Sequence, residues 1–207
     1  MNEREERNSF PEKPWLTIWT MPRITLRRIF NSNPTKGLIP LAALVGIGSI
    51  LGQASGREMT LSTLLALALF FGPVVGVVLM YGGSWFTYLT GKWLHGQATQ
   101  QELRAAYAWT SLPNIAAIPI ALTEISIFGT GGLVEVNIMQ NALYLPFLLL
   151  EMVLLIWGIV LYVIGISEAQ QFSIGKALLN IFIAFFVLLL GLFILLFLLF
   201  PLFQMFF

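Results

Sequence analysis

Residues 88–119 read YLTGKWLHGQATQQELRAAYAWTSLPNIAAIP. The stretch leaves one long apolar run and enters the next. Between the runs lie Lys92, His95 and Arg104, the glycines Gly91 and Gly96, and a Thr-x-x-Glu pair, Thr99 and Glu102. That spacing marks a helix N-terminus: the Thr99 hydroxyl accepts from the backbone N–H three residues on, and Glu102 reaches back to the Thr99 N–H. A helix is therefore predicted from Gln100, polar at its start. By Tyr107 to Pro113 it is amphipathic and aromatic, as at a membrane surface. The segment reads as a cytoplasmic connector feeding a membrane helix.

The flanking composition agrees. Of 207 residues, 57% are hydrophobic and 10% charged, against about 25% charged in soluble domains. Several apolar runs reach the roughly 20 residues that cross a bilayer. The predicted fold is all-α: a polytopic transmembrane helical bundle with five spans at about 38–55, 61–90, 106–128, 142–166 and 177–204, within a membrane domain over 38–207. Cysteine and Asp are absent, all ten acidic residues are Glu, and there is one histidine. Disulfides and thiol chemistry are excluded, and most metal sites and nucleophile–base pairs lack their parts. No catalytic residue, metal ligand, cofactor or nucleic-acid partner is expected.

Residues 1–14 are charged, contain two prolines and are predicted to be a disordered cytoplasmic tail. They carry no signal-peptide pattern. Residues 15–37 form an interfacial amphipathic segment. Trp15 and Trp19 share a helical face, and Pro22 suits the first position of a second short helix. There Leu26, Ile29 and Phe30 share a face, while Arg23, Arg27 and Arg28 are basic and solvent-seeking. Two readings stand: a plain positive anchor beside the first span, or a specific lipid or partner contact. Contact residues on the second reading are Trp15, Trp19, Arg23, Arg27 and Arg28, with Lys92, Arg104, Tyr107 and Trp109 of the connector.

Within the spans, Gly48 and Gly52 form a small-xxx-small pair, reinforced by Ala42 and Gly46, and Gly72 and Gly76 form another. The two pairs lie on helices joined by a short turn at 56–60, so close packing is one reading; the plain abundance of glycine in membrane helices is the other. Pro73 is expected to kink the second span, and Pro113 and Pro119 to bend the third. Residues 129–141 read as an external loop and 167–176 as a short polar turn. With the N-terminus inside, ten of the eleven Lys and Arg residues fall on the cytoplasmic side and only Arg57 outside. The C-terminus is then external.

Glu151 lies nine residues into the fourth apolar run, about 13 Å deep. An intramembrane carboxylate is expensive, so it reads either as a proton or cation site or as a neutral Glu hydrogen-bonded within the bundle. Gln53, Glu124 and Asn114, or another subunit, are the partners considered. Glu124 and Glu135 read as a weak external cation site or, more simply, as solvated loop carboxylates. His95 reads as a surface residue, and the glycines of 129–132 do not follow a strand and are not a phosphate loop.

The order of elements resembles the Yip1 domain family as found in bacteria. PWLTIWTMPRITLRRI (Pro14–Ile29) resembles its opening, with a Pro-Trp, a Pro-Arg and paired basic residues before the first span. GQATQQELRAAYAWTSLP (Gly96–Pro113) is similar to its most recognisable segment, and GISEAQQFSIGKA (Gly165–Ala177) to its turn between spans four and five. The resemblance implies a five-span integral membrane protein of the bacterial cytoplasmic membrane without catalysis of its own. Eukaryotic members engage Rab-type GTPases, but the acidic Asp-Leu-Tyr-Gly-Pro motif of that branch is absent, so this role is not carried over. For bacterial members the resemblance implies an accessory membrane subunit, for instance beside an ABC exporter. The expected partners are the bilayer and another membrane protein or complex, an ABC transporter among them, or a second copy of the chain. The alternative is a small ion, proton or lipid transporter using Glu151.

Overall fold

The computed structural model describes residues 9–53, 59–130 and 143–206. Arg57, Glu58, Glu135, Gly131, Gly132 and the first eight residues lie outside the described residues, as does the side chain of Gln53.

The chain opens with α1, Pro14–Thr20, and α2, Pro22–Ser32, each started by proline, whose fixed φ suits a first helical turn. Helix α2 buries Thr25, Leu26, Ile29 and Phe30, which recur on one face, and leaves Ile24 exposed, as is Met21 just before it. The packed chain begins earlier than the expected tail boundary. Phe10 lies 6.0 Å from the Trp109 ring, Lys36 sits 4.3 Å over Phe10, and Arg28 donates to the Ser9 hydroxyl at 2.9 Å. A single aromatic at position 10 anchors residues that their charge alone would assign to solvent.

Helix α3, Leu38–Gln53, has 16 residues, and α4, Leu61–Trp93, has 33 and runs on through Pro73. At 1.5 Å per residue these span about 24 and 50 Å. They form the closest helix pair. A Cβ at Gly46 would run into the Gly72 carbonyl and the Gly76 amide, one at Gly76 would meet the Ala42 carbonyl, and one at Gly72 would stand 2.7 Å from Ile47 Cα. The close approach is thus made by Ala42 and Gly46 against Gly72 and Gly76. The other expected pair lies off this contact: Gly48 faces Asn114 and Ile118, and a Cβ at Gly52 would meet nothing. At 100° per residue, Gly48 is rotated about 200° from Gly46.

The third span is three helices in near-continuous line: α5, Gln100–Thr110; α6, Leu112–Ala116; and α7, Ile118–Phe128. Its breaks at Ser111 and Ala117 each fall two residues before a proline, Pro113 and Pro119, which remove backbone donors and disfavour continued helix just before them. Its start carries the capping box read from the sequence. Glu102 N–H donates to Thr99 Oγ1 at 3.2 Å, and Thr99 N–H to Glu102 Oε2 at 2.7 Å.

Helix α8, Leu145–Gln170, has 26 residues and α9, Ile174–Phe206, has 33. The expected polar turn after residue 166 is shorter than read: α8 continues to Gln170 and is closed by Gln171 at φ +57°. Four helical stretches, α4, α5–α7, α8 and α9, are long and apolar enough to cross a membrane, and α3 is a shorter apolar helix. Outward-facing Leu, Ile and Phe side chains of α8 and α9 stay exposed, as lipid-facing positions do. From Leu189 to Phe200 every residue of α9 is exposed. The main core gathers α1, α2, α5 and the late part of α8 at one end of the bundle. A smaller cluster of Leu51, Leu64, Ala68 and Ile125 fills the other.

Candidate functional site

Buried polar side chains collect at these two ends. The connector end is where α2, residues 94–99 and the last turn of α8 meet. Glu168, 5% exposed, takes Arg23 Nη1 on Oε1 and Arg27 Nη2 on Oε2, both at 2.8 Å. Arg27 Nε adds a third bond at 3.2 Å. Residues 23 and 27 stand one turn apart on α2, so two guanidiniums converge on one carboxylate. The pairing corrects the solvent-seeking assignment of Arg23 and Arg27: their outer faces are in solvent, but their donors fix α2 to α8.

Two residues on, the Gln170 amide fills a slot that only glycine leaves open. A Cβ at either Gly91 or Gly96 would collide with it. Its Nε2 donates to the Thr87 carbonyl at 3.3 Å, and its Oε1 accepts from Ala98 N–H at 3.3 Å. Its own carbonyl accepts from Gln97 N–H. Asn180 of α9 donates to the same Thr87 carbonyl and, at 2.7 Å, to Thr90 Oγ1. The connector, α4, α8 and α9 are therefore cross-linked through uncharged amides.

The expected contact residues divide. Trp15 is exposed, whereas Trp19 packs against the core. Lys92 is exposed, 5.2 Å from the Tyr88 ring. Arg104 stacks over Tyr81 at 4.2 Å and donates to Gln100. Tyr107 meets Tyr162 edge-on at 6.4 Å. Trp109 is buried against Phe10 and the backbone of Gly37, so it serves internal packing and is not available to lipid or a partner.

The loop end lies where α7 finishes and α8 begins. The Phe128 ring packs edge-on against Tyr144 and Phe147, at 5.9 and 6.4 Å. One turn inward on each helix lie Glu124 and Glu151. Both line a cavity of about 90 Å³ with Tyr144, Leu51, Gly52 and Ala121. Glu124 is 3% exposed and its Oε1 has no hydrogen-bond partner. Of the partners considered for Glu151, Glu124 shares this cavity and Asn114 shares an adjoining groove.

Sequence reading passed over Glu168, Gln170 and Asn180. Asn180 was open to detection as the lone Asn of an apolar run, since intramembrane polar groups are rare. Glu168 and Gln170 were masked by their position at the polar end of a span.

Together the helices and their lipid-facing exteriors define a polytopic all-α membrane protein. The Yip1 domain family matches residues 16–198, and the chain belongs to that family. No curated protein and no solved structure matches it. The family is not known as enzymatic.

Proposed function

We propose that this Yip1 protein is a non-catalytic accessory or regulatory subunit that assembles with another membrane protein, an ABC exporter being one partner of the expected kind. The reading rests on one observation, the rigid build of the connector end. Glu168 holds α2, Gln170 holds the connector, and the platform carries exposed Trp15, Met21, Ile24 and Trp93 beside basic Arg28 and Lys92. Aromatic anchors and Arg on a fixed base suit protein recognition. The charge distribution of the sequence favours placing this end at the cytoplasmic face of a bacterial membrane, with the C-terminus external. The exposed half of α9 offers a second surface, for a partner helix or a second copy.

Purification from native membranes in mild detergent, followed by mass spectrometry, tests the reading. A stoichiometric membrane partner is expected with the natural chain and is expected to be lost with Trp15→Ala/Ile24→Ala. A monodisperse, partnerless protein that crosslinks to no neighbour in cells would overturn it. Transport of an ion, proton or lipid is the second reading, favoured by the placement of Glu124 and Glu151 on one cavity. It requires that Glu151→Gln abolish flux in liposomes.

A further inference from the structure

The loop end brings two carboxylates to one level of the bundle. Helices α7 and α8 run antiparallel past the Phe128–Tyr144–Phe147 cluster. Glu124 is four residues before Phe128 and Glu151 four after Phe147, so each lies about 6 Å, just over one turn, inside the same aromatic layer. Both face the 90 Å³ cavity. Among the described residues, no Lys, Arg or His pairs with either one. Glu124 Oε1 is buried with no donor.

An ionised carboxylate in that position lacks compensation, and a second one across the cavity adds like-charge repulsion. Two protons or one divalent cation would leave the pair neutral, and the cation would also give Glu124 Oε1 the partner it lacks. The ionisable groups of the lining all offer oxygen: two carboxylates and the Tyr144 phenol. Such a set selects hard cations, not the soft or imidazole-preferring metals. The cavity admits an ion and about two waters at roughly 30 Å³ each, and waters complete the coordination that three side chains leave open. Magnesium-type sites are commonly built so, from one or two carboxylates with retained water.

We propose that Glu124 and Glu151 hold one hard divalent cation of the Mg2+, Mn2+ or Ca2+ kind, one turn inside the loop end of the bundle, with Tyr144 in the same cavity lining. The ion cross-links α7 to α8 where their hydrogen bonding does not. Binding requires neither a partner at the connector end nor flux. Failure of this site would therefore leave the assembly reading standing, and a partnerless protein would leave the site standing.

Mn2+ titration followed by electron paramagnetic resonance is the test, on the full chain in phosphatidylcholine nanodiscs, where no anionic headgroup competes. One saturable Mn2+ per chain is expected, displaced by Mg2+ or Ca2+. Glu124→Gln and Glu151→Gln should each weaken binding at least about tenfold, the loss that removing even an outer-shell partner of a ligand causes. Glu102→Gln, at the opposite end, should leave it unchanged. Two results would overturn the proposal: no Mn2+ on the natural chain above empty nanodiscs, or equal binding by Glu151→Gln. Glu151 is only partly buried, so that variant carries the test even if Glu124→Gln does not fold.

Discussion

Glu168 and Glu124 are both buried carboxylates on apolar helices, at opposite ends of one bundle. Glu168 receives three bonds from two guanidiniums. Glu124 receives none from the described residues and faces a cavity shared with Glu151. Other orphan atoms exist nearer the connector end, namely Asn180 Oδ1, Trp109 Nε1 and Arg104 Nε. Each of those side chains has another anchor, in Thr90, Phe10 or Gln100 respectively. The comparison separates two uses of buried charge. Glu168 is satisfied within the bundle and fixes structure; Glu124 has no donor among the described residues, the opening on which the cation proposal rests.

Four substitutions test this contrast. Gly46→Leu should do the most damage, because it drives side-chain atoms into the Gly72 and Gly76 backbone and parts the helix pair on which both ends lean. Loss of monodisperse protein in size-exclusion chromatography is expected, since backbone cannot yield as a side chain can. Glu168→Ala should cost about 2 kcal/mol, the scale of hydrogen bonds to charged groups, reduced because the exposed guanidiniums are screened by water. Its signature is local: faster hydrogen exchange in α1 and α2, with α7 unchanged. Thr99→Ala should cost about 1 kcal/mol by removing half of the capping box, read as a lower melting temperature in detergent. Glu124→Gln should have the smallest effect and the opposite sign. Without divalent ions it should stabilise by a few tenths to about 1 kcal/mol, because it removes an uncompensated buried charge.

The same contrast governs what was legible in the sequence. Local chemistry was readable: the Thr99–Glu102 box, the helix start at Pro22 and the breaks before Pro113 and Pro119 follow from backbone rules that need no tertiary partner, whereas the helix start at Pro14 fell inside the stretch assigned to the tail. Composition made the all-α membrane class plain. Pairing across the bundle was not readable. Gly72 and Gly76 find Ala42 and Gly46, because alanine is as small as the contact needs and helix phase, not residue type, selects the face. Glu168 and Gln170 looked like a turn because polar residues at the end of an apolar run usually mark the exit from the membrane. Here α2 and the connector fold over the last turn of α8 and bury it. Arg23 and Arg27 looked solvated for the same reason, their acceptor being more than 140 residues away. Glu151 was recognisable as an intramembrane carboxylate with Glu124 among its candidate partners, but which candidate shares its cavity was set by the antiparallel register of α7 and α8.

The most direct measurement is a pair of melting curves, Glu168→Gln and Glu124→Gln, in nanodiscs with chelator and then with Mn2+. Glu168→Gln should melt lower than the natural chain in both conditions. Glu124→Gln should melt at or above it in chelator and lose the Mn2+-dependent rise that ligand binding confers on the natural chain. If Glu124→Gln instead melts as low as Glu168→Gln, or if Mn2+ raises both chains equally, the two carboxylates do not differ in the way their surroundings imply.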